Sequence, residues 1–80
     1  AIIDSYGWVL FKQGRYEEAL KELQRAYEML KDPEVASHIV DVLSKLGRSD
    51  EARQALEDAE QRFPENELLQ GTRERIFPDD

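Results

Sequence analysis

The sequence predicts an all-α fold, an α–α superhelix of two helix-turn-helix repeats and a C-terminal capping helix. Three observations predict it. The first is a recurring stretch: Lys12 to Ala26 reads KQGRYEEALKELQRA, and Lys45 to Ala59 reads KLGRSDEARQALEDA. A shift of 33 residues lays Lys12, Gly14, Arg15, Glu18, Ala19, Leu23 and Ala26 on Lys45, Gly47, Arg48, Glu51, Ala52, Leu56 and Ala59. A fixed offset of this length marks stacked helical units. The second is the spacing of apolar residues, which return at one, three and four positions between turn signals. The third is composition: 40% apolar and 36% charged residues, with only four glycines and three prolines. That is too apolar for a disordered chain and too poor in turn residues for a β-sandwich.

The elements follow in order. Residues 1–13 form a first helix, apolar at Ile2, Ile3, Tyr6, Trp8, Val9, Leu10 and Phe11. That covers more than one face, the pattern of a helix buried on several sides. No cap residue precedes Ile2, so the chain reads as a piece cut from a longer array just upstream. Gly14 ends this helix, where a left-handed residue costs least. A second helix runs from about Arg15 to Lys31, with Ala19, Leu20, Leu23, Ala26, Tyr27 and Leu30 inward. Glu17 and Lys21 stand four apart in the favourable order.

Asp32-Pro33-Glu34 opens a third helix: Asp32 caps, Pro33 suits the first helical position, and Glu34 meets the helix dipole. Its apolar positions are Val35, Ile39, Val40, Val42, Leu43 and Leu46, and Gly47 stops it. Ser49 is the expected cap of a fourth helix, with Asp50 and Glu51 in its first turn. This helix sends Ala52, Ala55, Leu56, Ala59 and Phe63 inward and ends before Pro64. Asn66 is the expected cap of the last helix, whose stripe is Leu68, Leu69, Thr72 and Ile76. Its other face is Glu67, Gln70, Arg73, Glu74 and Arg75, one dry side and one wet side, as a terminal helix needs. The expected organisation is a single domain over 1–80: repeat one 1–32, repeat two 33–66, capping helix 67–77.

Charge narrows the partners. A net charge of −7 argues against nucleic acid, whose binders need a basic footprint. It argues equally against docking on anionic lipid. Cysteine is absent, so disulfides and thiolate metal sites are excluded. No apolar run has membrane-spanning length. The compartment is left open, cytoplasm or periplasm and cell envelope alike.

These residues resemble the tetratricopeptide repeat (TPR). The first repeat offers Gly7, Leu10, Gly14, Tyr16, Ala19, Leu23 and Ala26, and the second Val40, Leu43, Gly47, Ala52, Leu56, Ala59 and Pro64. The resemblance covers nearly the whole chain and is nearest to the C-terminal repeats of large bacterial TPR proteins. It implies a right-handed solenoid. Departures are visible as well. The family's tryptophan position holds Ile3 and Ala36, and the aromatic after the turn is Tyr16 in one repeat but Ser49 in the other. The second repeat is therefore expected to pack less fully. The first repeat's closing proline is delayed to Pro33, which predicts a longer second helix. Gly7, Gly14, Ala19, Ala26, Gly47, Ala52 and Ala59 are read as structural.

The sequence shows no chemistry. His38 has Glu34 one turn away but no third ligand, so no metal site is expected. Ser5, Ser37, Ser44 and Ser49 lack the setting of a nucleophile. The carboxylate pairs Glu17-Glu18 and Asp50-Glu51 serve helix dipoles. No enzyme activity and no cofactor are expected. The resemblance implies a protein–protein interaction module whose first helices line a concave groove for a peptide or partner helix. By matching position the groove presents Asp4, Trp8, Phe11 and Lys12, with Ala1 beside them, then Ser37, His38, Asp41 and Lys45, flanked by Glu34 and Ser44. Trp8 and Phe11, three apart, share a helix face. The lysine-asparagine-arginine clamp that some TPR domains use for acidic chaperone tails is missing: the matching positions hold Asp4, Trp8 and His38. An apolar or basic peptide is the expected partner. Two alternatives stand beside it: a purely structural end cap of a longer solenoid, and a homodimer through the first helix.

Overall fold

The computed structural model describes the backbone of residues 2–79 and the side chains of residues 7–79. Expectations resting on the side chains of Ile2, Ile3, Asp4 and Tyr6, and on Ala1, lie outside the described residues. The described chain forms five helices: α1 (Ile2–Lys12), α2 (Tyr16–Met29), α3 (Pro33–Lys45), α4 (Ser49–Arg62) and α5 (Glu67–Ile76). No strand occurs among the described residues. The radius of gyration is 11.5 Å, about what a compact chain of this length shows.

Local chemistry sets each helix end. Gly14 and Gly47 both have positive φ, 80° and 75°. Around each, the chain closes in the same way. Gly14 N–H donates to the Phe11 carbonyl and Arg15 N–H to the Leu10 carbonyl; Gly47 N–H donates to Ser44 and Arg48 N–H to Leu43. This is the double bond pattern of a Schellman motif, which satisfies carbonyls that the helix end would leave open. A side chain on either glycine would meet no neighbour within 4 Å, so backbone conformation alone demands glycine there.

The repeated arginine has its own task. Arg15 and Arg48 occupy the N-cap positions of α2 and α4 without capping through their side chains. Each reaches forward instead to the glutamate three residues on. Arg15 Nε lies 2.8 Å from Glu18 Oε1, and Arg48 Nε and Nη2 lie 2.6 and 2.8 Å from the two oxygens of Glu51. The expected cap Ser49 is thus the first helical residue, and α4 starts with the guanidinium–carboxylate clamp of Arg48 and Glu51 and without a side-chain cap. The clamp also holds the carboxyls of Glu18 and Glu51 below the usual glutamate range, chiefly by hydrogen bonding. Arg48 further sits 3.6 Å from Glu17 on α2, a contact between the repeats.

Capping at the other two starts follows the sequence. Asp32 accepts a 2.7 Å bond from Glu34 N–H, with Pro33 as first helical residue. Asn66 accepts from Leu69 N–H at 3.2 Å.

Two readings of α2 need correction. It is not longer than α4: both have 14 residues. A residue before proline is pushed out of the helical region, and Asp32 is extended accordingly. The chain must leave the helix before it, so α2 stops at Met29 and Leu30 is already extended. Leu30 consequently points outward and is 65% exposed, where an inward position was expected. On α5, Leu68 is likewise exposed while Leu69 and Thr72 are buried.

The core is a continuous cluster from Leu10 to Leu69. Ala19, Leu23, Ala52 and Leu56 have no accessible surface, and Ala26 and Ala59 are nearly as buried. Gly7 allows the closest approach: a methyl added there would lie 2.8 Å from Leu23 Cγ. The central element is α3, which packs against α1, α2, α4 and α5 and buries seven residues over more than half its circumference.

Candidate functional site

Where α1 meets α3, three of the sequence-nominated residues come together: Trp8, Phe11 and His38. Trp8 stacks on Phe11 one turn further along α1, with centroids 4.6 Å apart and planes 10° from parallel. It also stacks on His38 of α3, at 4.0 Å and 15°. Phe11 meets Tyr16 at the start of α2, tilted at 54° and 5.3 Å away. Four rings therefore run from α3 through α1 to α2. All four are half-buried. Quadrupole-favoured ring contacts of this kind add to what area burial alone contributes. Trp8 was nominated as a surface for stacking a ligand ring. It is engaged within the molecule twice, so it ties the two repeats together.

The other nominated residues divide. Lys12 and Lys45 are exposed in the last turns of α1 and α3. Glu34 is exposed and Ser44 half-buried. Ser37 requires a correction: it is only 3% exposed. Its hydroxyl lies 2.6 Å from that of Thr72 on α5, because the capping helix lies over this side of α3. Asp41 is bound by α5 too: Arg75 Nη1 donates to Asp41 Oδ1 at 2.7 Å, and the carboxylate side chain keeps 13% of its surface. The acidic character expected of the groove at Asp41 is thus largely answered within the chain. The side chain of Asp4 lies outside the described residues.

The sequence reading gave no part to α5 beyond capping. Its wet face is in fact a set of directed contacts. Arg73 forms a two-bond clamp on Glu60 of α4, at 2.8 and 2.7 Å. This clamp, mainly by hydrogen bonding, keeps the Glu60 carboxyl below the usual range. The Arg53 guanidinium sits 4.4 Å from the centroid of the Phe77 ring. Thr72 also donates to the Leu68 carbonyl at 3.0 Å. Thr72 on the apolar stripe was the one legible signal; the arginines read simply as solvated charge.

Looser packing was expected of the second repeat, and a cavity of about 200 Å³ opens beside Ala36, lined by Gln24, Tyr27, Ala36, Ile39, Ala55 and Asp58. It adjoins a shallower cleft that shares Tyr27 and Asp58 and extends to Gln61 and Arg62.

Among the described residues, no group of three His, Cys, Asp or Glu side chains is placed to hold a metal ion. No described helix is long and apolar enough to cross a membrane.

Stacked helical hairpins with alanine-lined seams and matched glycine turns define a helical-repeat protein. The family described as Tetratricopeptide repeat matches residues 10–76, and the chain belongs to that family. TPR repeats are generally protein-interaction modules and typically not enzymes. Comparison with curated proteins and with solved structures gave no match.

Proposed function

We propose that the chain is a single two-repeat TPR domain that binds a peptide or partner helix along the face shared by α1 and α3, and that it carries no catalysis. The observation behind this reading is the Trp8–His38 stack, which puts aromatic surface at the junction of two repeats. Half-buried aromatics at such a junction are the residue type that dominates binding energy. Phe11 extends the apolar centre, and Lys12, His38, Asp41 and Lys45 supply polar contacts. Ser37 drops out because it is buried under α5. The excess negative charge of the whole chain favours an apolar or basic ligand over an acidic one.

The test is direct because Trp8 is the sole tryptophan. Its emission reports on this face alone. Titration with apolar, basic and acidic extended peptides is expected to shift emission saturably for the first two. Tighter binding of the acidic peptide at this face, or no saturable change of Trp8 emission with either the apolar or the basic peptide, rejects the proposal.

The contacts that fix α5 support a second role, closing the end of a helical stack. An array needs a terminal helix with a polar outer face, and α5 buries only Leu69 and Thr72. Deleting residues 67–80 is then expected to cause association or loss of cooperative unfolding. A monomeric, cooperatively folded truncation would reject this role.

A further inference from the structure

We propose that the cavity between α2, α3 and α4 is a second docking site, taking a partner segment in which a bulky apolar side chain lies next to a lysine or arginine. It is separate from the α1–α3 face and does not depend on that reading.

The floor is Ala36, Ile39 and Ala55, with the Tyr27 ring as one wall. The space of about 200 Å³ suits one large side chain: an apolar cavity of roughly 150 Å³ already accommodates benzene. Leu30, one turn beyond Tyr27 at the end of α2, is 65% exposed. A single anchor pocket is the arrangement in which one side chain carries most of an interface's energy.

The charge of the occupant follows from two observations. Asp58 borders both the cavity and the adjoining cleft. It accepts one hydrogen bond from Gln54, at 3.0 Å to Oδ1, and no arginine or lysine among the described residues pairs with it. The Tyr27 ring already holds a cation, since the Lys31 ammonium lies 4.7 Å from its centroid. Lys31 thus shows within the chain that an ammonium is favourable on this ring face. Arg62 lines the adjoining cleft but not the cavity, so the cationic group of the partner goes to Asp58 on the cavity side. The net charge of −7 adds long-range attraction for such a segment.

The experiment uses three synthetic helical peptides of about 15 residues. The first carries Leu and Lys four positions apart, the second replaces Lys by Glu, and the third replaces Leu by Ala. Binding is followed by backbone NMR shifts of the intact chain. The Leu–Lys peptide is expected to shift Ala36, Ile39, Ala55 and Asp58 saturably, leaving Trp8 and His38 in place. Each altered peptide is expected to bind about tenfold more weakly, the loss of one anchoring contact. Ala55→Leu fills the cavity and is expected to abolish these shifts while the melting temperature is kept or raised. Asp58→Asn, which retains an acceptor for Gln54, is expected to erase the preference for Lys over Glu. The proposal falls if the peptide shifts Trp8 and His38 instead, if binding survives Ala55→Leu, or if no probe binds. It also falls if sedimentation shows a second copy of the chain filling the cleft.

Discussion

Two alanines three residues apart on α4 should respond in opposite ways to the same enlargement. Ala52 has no accessible surface and belongs to the close-packed cluster. Replacing it by leucine inserts three carbons where no space exists, which costs about 1–3 kcal/mol in displaced neighbours. Ala55 lines the cavity of about 200 Å³, so the same three carbons enter empty space. Burying them contributes up to ~2 kcal/mol, against about 0.5–1 kcal/mol of lost rotamer freedom. The net expectation is a gain of about 1 kcal/mol. For a domain of this size 1 kcal/mol moves Tm by roughly 4–8 °C. Ala52→Leu should therefore melt well below the parent, and Ala55→Leu level with it or a few degrees above. Thermal and urea unfolding, followed by helical circular dichroism, measures both, and unchanged urea slopes verify that the denatured states are comparable. Equal Tm values for the two variants would refute the reasoning: both lowered would show that the cavity is not available, both unchanged that the seam at Ala52 is not tight.

Further expectations concern glycines, the capping helix and one turn. Gly7→Ala drives a methyl against Leu23 and should destabilise by about 1–2 kcal/mol despite better helix propensity; Gly71→Ala meets nothing within 4 Å and should stabilise by about 0.5–1 kcal/mol. Equal effects in urea melts would contradict the close α1–α2 approach. Because Arg73 depresses the Glu60 pKa, the stability it lends is full above the unfolded value of about 4.3 and is lost as pH falls through the lower folded value. The stability gap between parent and Glu60→Gln should be flat from about pH 7 to 5 and narrow below about 4.3; a gap unchanged in acid would deny the clamp. Among the described residues Glu65 is the non-glycine one at positive φ, 60°, so Glu65→Gly should stabilise slightly, by up to about 1 kcal/mol, whereas Gly47→Ala should cost about 1 kcal/mol. The reverse order in melting experiments would refute the turn geometry.

What the sequence made legible was what local chemistry decides. Asp32-Pro33, Asn66, Gly14 and Gly47 set helix ends because caps, proline and left-handed turns act within a few residues. The end of α2 was misplaced for a reason equally local: Pro33 constrains Asp32, so the delayed proline shortens the helix it seemed to extend. The four-ring run was half legible. Spacing on one helix puts Trp8 beside Phe11, but nothing in the sequence aims His38 at Trp8. The pairs Arg73–Glu60 and Arg75–Asp41 bridge 13 and 34 residues. Long side chains of this kind read as solvated surface until their partners are placed. The cavity was half legible: Ala36 at the family's tryptophan position predicts looser packing in the second repeat, but nothing in the sequence says where the empty space opens.

The 33-residue offset connects the proposed groove to the packing of the repeats. Trp8 and Asp41 occupy the same position of successive repeats, and each reaches the next helix in the stack. Trp8 stacks on His38 of α3, and Asp41 pairs with Arg75 of α5. One position thus seals two seams with different chemistry. A ring contact excludes water and has little dependence on salt, whereas the Arg75 guanidinium is half exposed and screened. The two seams should consequently yield to different ligands. Only a planar or bulky apolar group can displace a stacked ring without loss, while a lysine or arginine can exchange with Arg75 on the Asp41 carboxylate. A peptide lying across α1, α3 and α5 would then need an apolar residue at the first seam and a basic one at the second. That order gives the proposed groove a direction as well as a preference.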